Sequence, residues 1–186
     1  FGTGHMGVTA ENVAKENDIT REDQDAFALA SQARAKAAIE GGLFTDQIVP
    51  IEIKVKRQLV EFTTDEHPKA STAESLAGLR PAFQKEGTVT AGNASGINDG
   101  AAAIVMANGS AVEKGNLKPR ARILGYAHAG VRPEVMGIGP IPAVKKLLAK
   151  TGLKALDFDV IESNEAFAAQ AIAVNRALDL DPAKVN

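Results

Sequence analysis

Phe158-Asp159-Val160-Ile161-Glu162-Ser163-Asn164-Glu165-Ala166-Phe167-Ala168-Ala169-Gln170 is the stretch from which the fold is read. Val160 and Ile161 make a short apolar strand. The chain then breaks at polar residues and re-enters as an alanine-rich helix running to about Leu178. In parallel α/β sheets the carboxyl end of a strand is where ligands and catalytic side chains collect. A fixed Asn-Glu at such a corner can hold a water, or donate a hydrogen bond where negative charge develops. The competing reading gives Asn164 only the structural task of capping the helix.

Outward from that corner, strand and helix patterns alternate. Pro142 to Lys150 is an amphipathic helix with Val144, Leu147 and Leu148 inward and Lys145, Lys146 and Lys150 outward, entered through Pro140 and Pro142. Arg120 to Tyr126 reads as a strand, and Ser110 to Lys114 as a helix closed by Gly115. The continuous apolar run Ala101 to Ala107 fits a strand buried on both faces. Strand, helix, strand, helix predicts a parallel sheet with right-handed crossovers.

Before residue 87 the character is helical and loop-like. Thr20-Arg21-Glu22-Asp23 starts a helix whose Ala26, Ala30, Ala33 and Ala37 lie along one side and predict close packing, and which ends at Gly41-Gly42. Ile48 to Val55 alternates as a half-exposed strand. Ser71-Thr72-Ala73-Glu74 reads as a capping box for a short helix ended by Pro81.

Composition sets outer bounds. The chain has 186 residues, 45% hydrophobic and 24% charged, with a formal charge of −2 and no cysteine. That balance is ordinary for a globular α/β protein. It gives no electrostatic case for nucleic acid. No apolar run approaches the roughly 18 residues of a membrane span, and no secretory signal is visible. The densest basic cluster, Lys54, Lys56 and Arg57, reads as an exposed strand face. Three dispersed histidines, His5, His67 and His128, have no metal-binding spacing. Gly2-Thr3-Gly4-His5-Met6-Gly7 matches a dinucleotide fingerprint in letters only, because no strand precedes it and Asp23 and Asp25 sit at a helix start.

Two long runs carry a family resemblance. Asn164-Glu165-Ala166-Phe167-Ala168 resembles a signature loop of the thiolase family, and Gly87 to Ala103, with Thr90-Ala91-Gly92-Asn93-Ala94-Ser95-Gly96 at its centre, resembles the thiolase segment leading into the coenzyme A pocket. The resemblance implies a layered αβαβα thiolase-like fold of the α/β class, incomplete in this chain, with a helical and loop insertion domain. Residues 1–86 would be the coenzyme A-binding loop domain, 87–117 the end of the N-terminal α/β half, and 118–186 the start of the C-terminal half. The family's chemistry needs two cysteines. By resemblance one precedes residue 1, while the other, with the histidine of a Gly-His-Pro loop, follows Asn186. The chain is therefore expected to be an internal piece, about half of a subunit.

Residue roles follow the same resemblance. Asn164 would position a water that, with the histidine outside this chain, stabilises a thioester enolate, and Glu165 would orient the loop. His5 would contact the thioester end of the ligand and Met6 would line its pocket. Ser95 would bond an amide of the pantetheine arm, with Ala91 and Ala94 leaving room. Ser75, Leu79 and Phe83 would offer a hydroxyl and two apolar groups to an adenine ring. Met136, Ala166 and Phe167 would wall the acyl pocket. Asp65-Glu66-His67-Pro68-Lys69 departs from the pattern, since many relatives carry an arginine where either Lys69 or Pro68 falls; a lysine is a point donor rather than a planar fork.

The implied activity is that of an acyl-coenzyme A acyltransferase making or cleaving 3-ketoacyl-coenzyme A, in fatty acid metabolism. The coenzyme A thioester is substrate, and no cofactor is expected. Partners would be acyl-coenzyme A, the remaining segments of the subunit, and further copies in a homodimer or homotetramer, at a cytoplasmic location, with neither nucleic acid nor membrane. A non-catalytic thiolase-like binding or assembly protein is the alternative. A ketoacyl-synthase-type enzyme is disfavoured by the run 164–168.

Overall fold

The computed structural model describes residues 4–186, so Gly2 and Thr3 of the glycine motif lie outside the described residues. Helix α1 (Met6–Glu16) starts at His5, whose Nδ1 accepts from the Gly7 amide at 3.0 Å. Helix α2 (Arg21–Glu40) opens on the expected box: the Asp23 amide donates to Thr20 Oγ1 at 3.0 Å, and the Thr20 amide to Asp23 Oδ2 at 3.3 Å. It ends at Gly41, and Gly42 leaves in the left-handed region at φ +69°. Its alanine stripe is a correction. Ala26, Ala30, Ala33 and Ala37 face solvent, and the buried side carries Gln24, Asp25 and Ala28. Polar side chains hold that face, which apolar periodicity does not detect.

The strand expected from residue 48 is β1 (Ile51–Val55). It pairs antiparallel with β2 (Gln58–Phe62), a partner the alternation did not reveal. Lys56 and Arg57 form the two-residue turn, with Lys56 at φ 58°, so the basic cluster belongs largely to a hairpin tip. Helix α3 (Ala73–Ala77) is capped one residue later than expected, by Thr72 with Ser75 answering. Gly78 ends it rather than Pro81, which instead bridges Thr90. Helices α4 (Gly109–Lys114, closed by Gly115), α5 (Pro140–Thr151) and α6 (Ala168–Leu178) agree with their sequence patterns.

The expected parallel sheet is not completed within the described residues. Among the described residues, 101–107 and 120–126 form no strand, and Val105 is 96% exposed. Of the strand expected at 158–162, one parallel bridge remains, between Ile161 and Val185. There the Ile161 amide donates to the Lys184 carbonyl and the Asn186 amide to the Ile161 carbonyl, both at 2.8 Å. A strand needs a neighbour for its backbone groups, and no described element supplies one.

The core therefore forms where helices meet. Ala168 to Val174 of α6 are all buried. Val13 and Ala14 of α1, Ile19, and Val135 of the 3₁₀ turn Pro133–Ile138 pack against Ala169, Ile172 and Ala173, with Phe27 of α2 and Ile138 at the margin. Alanines at Ala169 and Ala173 let the neighbouring backbones approach closely. Burial of each large aliphatic side chain here contributes about 1.5–3 kcal/mol.

Candidate functional site

The two runs singled out in the sequence meet in space. Ala94 bridges Phe167 antiparallel, the Ser95 amide donates to the Ala166 carbonyl at 3.0 Å, and the Ala168 amide donates to the Asn93 carbonyl at 2.9 Å. That last bond occupies an N-terminal donor of α6. The residue flanking the helix is Phe167, with no side-chain cap. Asn164 is therefore no helix cap, and the competing reading of that residue falls.

Buried polar side chains hold the junction in register. Asn93 Oδ1 accepts from the Thr90 amide at 2.8 Å, while its Nδ2 donates to Asp25 Oδ1 at 2.9 Å and to the Thr88 carbonyl at 3.1 Å. Asp25 is itself held by Arg21 Nε at 2.7 Å, and Arg21 donates onward to the Leu76 and Leu79 carbonyls. From α1, the Glu11 carboxylate accepts from the Thr88 amide and hydroxyl and from the Val89 amide, all between 2.9 and 3.0 Å. Hydrogen bonds to an ionised acceptor are the strong kind. A side chain on Gly87 would run into that same carboxylate, so the loop needs glycine there.

Beside the junction lies a cavity of about 450 Å³, walled mainly by apolar groups. Asn164 lines it, together with Met6 and with the expected acyl-pocket residues Met136, Ala166 and Phe167. Thr9, Gly137, Val144, Leu147 and Gln170 also line it and were not anticipated. The helical spacing of Val144 and Leu147 marked them as core, and the same spacing brings them to this wall. Next to the lining residues Met6 and Phe167, His5 stacks on Phe83 at 4.8 Å between centroids, and Phe83 meets Phe167 edge-on at 6.2 Å. Because His5 Nδ1 accepts from Gly7, the neutral ring carries its proton on Nε2.

Other expected residues fall elsewhere. Ala94 and Ser95 line a second hollow of about 240 Å³ with Ser31, Gln32, His67, Pro68 and Glu165. Glu165 accepts from Ser31 Oγ at 2.6 Å, so the consecutive residues Asn164 and Glu165 serve different hollows. The Ser75 hydroxyl is occupied within its capping box, donating to the Thr72 carbonyl at 2.8 Å. Leu79 and Ala91 are exposed, with Leu79 lying over Gly92. Ser75, Leu79 and Phe83 line neither of these two hollows. His67, read as a dispersed histidine, rests its ring against Gly96. Among the described residues no group of His, Asp and Glu could hold a metal ion, and no helix is long and apolar enough to cross a membrane.

Comparison with known proteins matches residues 1–110 to the family described as thiolase, N-terminal domain, and residues 117–186 to thiolase, C-terminal domain. The beta-ketothiolase BktB of Cupriavidus necator is 60% identical over 184 residues, covering 98% of this chain and 47% of that protein. The crystal structure of the Bacillus anthracis acetyl-CoA acetyltransferase superposes with a TM-score of 0.89 at 56% identity, over 97% of this chain and 46% of that one. Human mitochondrial 3-ketoacyl-CoA thiolase in complex with CoA gives 0.88 at 50% identity, over 97% and 45%. The chain spans about half the length of the curated relatives it matches.

Proposed function

The chain belongs to the thiolase family, with an incomplete α/β thiolase fold, and on that premise we propose that it supplies the enolate-stabilising side of an acyl-coenzyme A acyltransferase site. The observation that carries this reading is Asn164 on the wall of an apolar cavity, in the company of Met6, Met136, Ala166 and Phe167. The cysteine nucleophile comes from sequence outside these cysteine-free residues.

In the cleavage direction a cysteine thiolate attacks the 3-keto carbon of a 3-ketoacyl thioester. The bond between C2 and C3 breaks, and its electron pair leaves as the enolate of the shortened thioester, which then takes a proton. The acyl group left on cysteine passes to the thiol of coenzyme A; synthesis runs these steps in reverse. The enolate oxygen carries the developing charge. Asn164 holds a water that donates to it, beside mainly apolar walls that strengthen the contact.

His5 contacts the thioester end of the ligand and Met6 lines its pocket, Met136, Ala166 and Phe167 enclose the acyl group, and Phe83 is carried over as an apolar contact of the adenine ring. Ala91, Ala94 and Ser95 are carried over as contacts of the pantetheine arm, and Ser75 and Leu79 as contacts of the nucleotide, on the family resemblance alone. Residues 1–86 are assigned to the coenzyme A-binding loop domain, with the two α/β halves meeting near residue 117. A relative solved with CoA supports the choice of ligand class.

Asn164→Ala in the complete protein tests the reading. One preorganised donor is worth roughly 10²–10³ in turnover. The variant is expected to lose kcat on that scale while coenzyme A affinity, measured by calorimetry, stays within about twofold. Unchanged turnover would refute the assignment.

A further inference from the structure

One side of α2 grips both of the runs that meet at the site. Asp25 accepts from Asn93 Nδ2 at 2.9 Å, which holds the 93–95 run. Ser31 lies two helical turns beyond the buried Gln24 and so on the same side. Its Oγ donates to Glu165 Oε2 at 2.6 Å, the length of a charge-assisted O–H contact to a carboxylate. One turn further on, Arg34 donates to the Pro182 and Val185 carbonyls at 3.3 and 3.2 Å. The adjoining Asn186 carbonyl accepts from the Ser163 amide at 2.7 Å. Both chain neighbours of Asn164 are therefore held, Glu165 by α2 directly and Ser163 through the 182–186 segment.

Asn164 and Glu165 are consecutive, yet they line different hollows. Drawing the Glu165 side chain to α2 on one side therefore sets the side on which Asn164 leaves the chain. A hydrogen-bond donor for an oxyanion is effective only when its geometry is fixed before the charge develops. A Glu165 free to turn would let the corner at 163–166 rotate and carry the Asn164 carboxamide out of line. Ser31 also lines the second hollow, beside Ser95, but its hydroxyl proton is already given to Glu165 and only acceptor capacity is left for a ligand. We propose that Ser31 is a positioning residue for the acyl-transfer reaction: by holding Glu165 it fixes the loop that carries Asn164. This rests on the function proposed above.

The test is thiolysis of acetoacetyl-coenzyme A by the complete protein, comparing wild type with Ser31→Ala, Ser31→Thr, Asn164→Ala and the double variant Ser31→Ala/Asn164→Ala. Ser31→Ala is expected to lower kcat about tenfold while KM for coenzyme A stays within about twofold, since a small misplacement remote from the chemistry can cost up to about a hundredfold. Ser31→Thr keeps the hydroxyl and retains most of the rate. In the Asn164→Ala background the loss of Ser31 costs less than about twofold, because the group it positions is already gone. A loss that multiplies in full in that background overturns the inference and marks Ser31 as a general support of the fold. So does a raised KM with kcat intact, which would put the hydroxyl on the ligand in the second hollow, or a Ser31→Thr variant as slow as Ser31→Ala. A slow Asn164→Ala beside an unimpaired Ser31→Ala defeats this inference alone. An Asn164→Ala variant with unchanged turnover defeats the proposed function, and this inference with it.

Discussion

Ala168-Ala169-Gln170-Ala171-Ile172-Ala173-Val174 and Ala101-Ala102-Ala103-Ile104-Val105-Met106-Ala107 are seven-residue stretches of nearly the same composition. The first is the longest continuously buried run among the described residues, with Ala169 fully enclosed. In the second, Ile104, Val105 and Met106 are all largely exposed. The difference lies in what each backbone needs. A helix satisfies its own N–H and C=O groups, so α6 requires only side-chain neighbours, which α1 and the 133–138 turn provide. A strand has to find its hydrogen-bonding partners in another segment. Apolar character alone therefore does not place a segment in a core.

The largest break in the ordered region is expected from Glu11→Ala. That change removes the acceptor for two backbone amides and the Thr88 hydroxyl, leaving buried donors unpaired. A loss of roughly 3 kcal/mol or more of unfolding free energy follows. Denaturant titration of the complete protein measures it, and a loss below about 1 kcal/mol would mean the clamp matters little. Next in size is Ala169→Leu, which forces a branched side chain into a fully buried position facing α1. Overpacking of this kind costs about 1–3 kcal/mol, read from the same titration.

Local chemistry explains which parts of this architecture are visible in sequence. The cap at Thr20-Asp23, the glycine stops at Gly41 and Gly115, and the proline-entered α5 each depend on a few adjacent residues, and each stands where the pattern puts it. The meeting of 93–95 with 166–168 depends on residues about seventy apart, and on buried polar groups such as Glu11 and Asp25 that periodicity scores as surface. Asn164, Met6, Met136, Ala166 and Phe167 converge on one cavity through the long family match rather than through any spacing. Ser75 and Phe83 rest on the same match, and the structure adds that one belongs to a capping box and the other to an aromatic stack. The strands at 101–107 and 120–126 were legible as apolar runs, but their pairing partners are not among the described residues.

The exposed region offers the complementary experiment. In the 186-residue chain alone, Val105→Asn is expected to change unfolding free energy by less than about 0.5 kcal/mol, as at any solvated site, and to reduce self-association, because it interrupts an unpaired apolar run. In the complete protein the same substitution should cost about 2 kcal/mol or more, if the segment there gains a buried strand environment. Equal effects in the two backgrounds would show that 101–107 remains solvated throughout. The isolated chain is also expected to lack ketoacyl-cleaving turnover, which a thiolysis assay checks.

The smallest effect belongs to Glu74, in the first turn of α3. A hydrogen bond from its own backbone amide, followed by one from the Thr72 hydroxyl, holds its carboxyl below the ordinary value. A group whose acidity is strengthened by folding stabilises the folded state above its unfolded value, and that contribution disappears as pH falls through the lowered folded value. Glu74→Gln should therefore be slightly less stable than wild type at neutral pH, with a gap that is constant above the carboxylate range and closes in acid. The side chain is fully exposed, so added salt should shrink the gap further. Paired thermal melts across that pH range read it directly. A gap that widened as pH fell would mean that the ionised carboxylate is not the form that α3 holds.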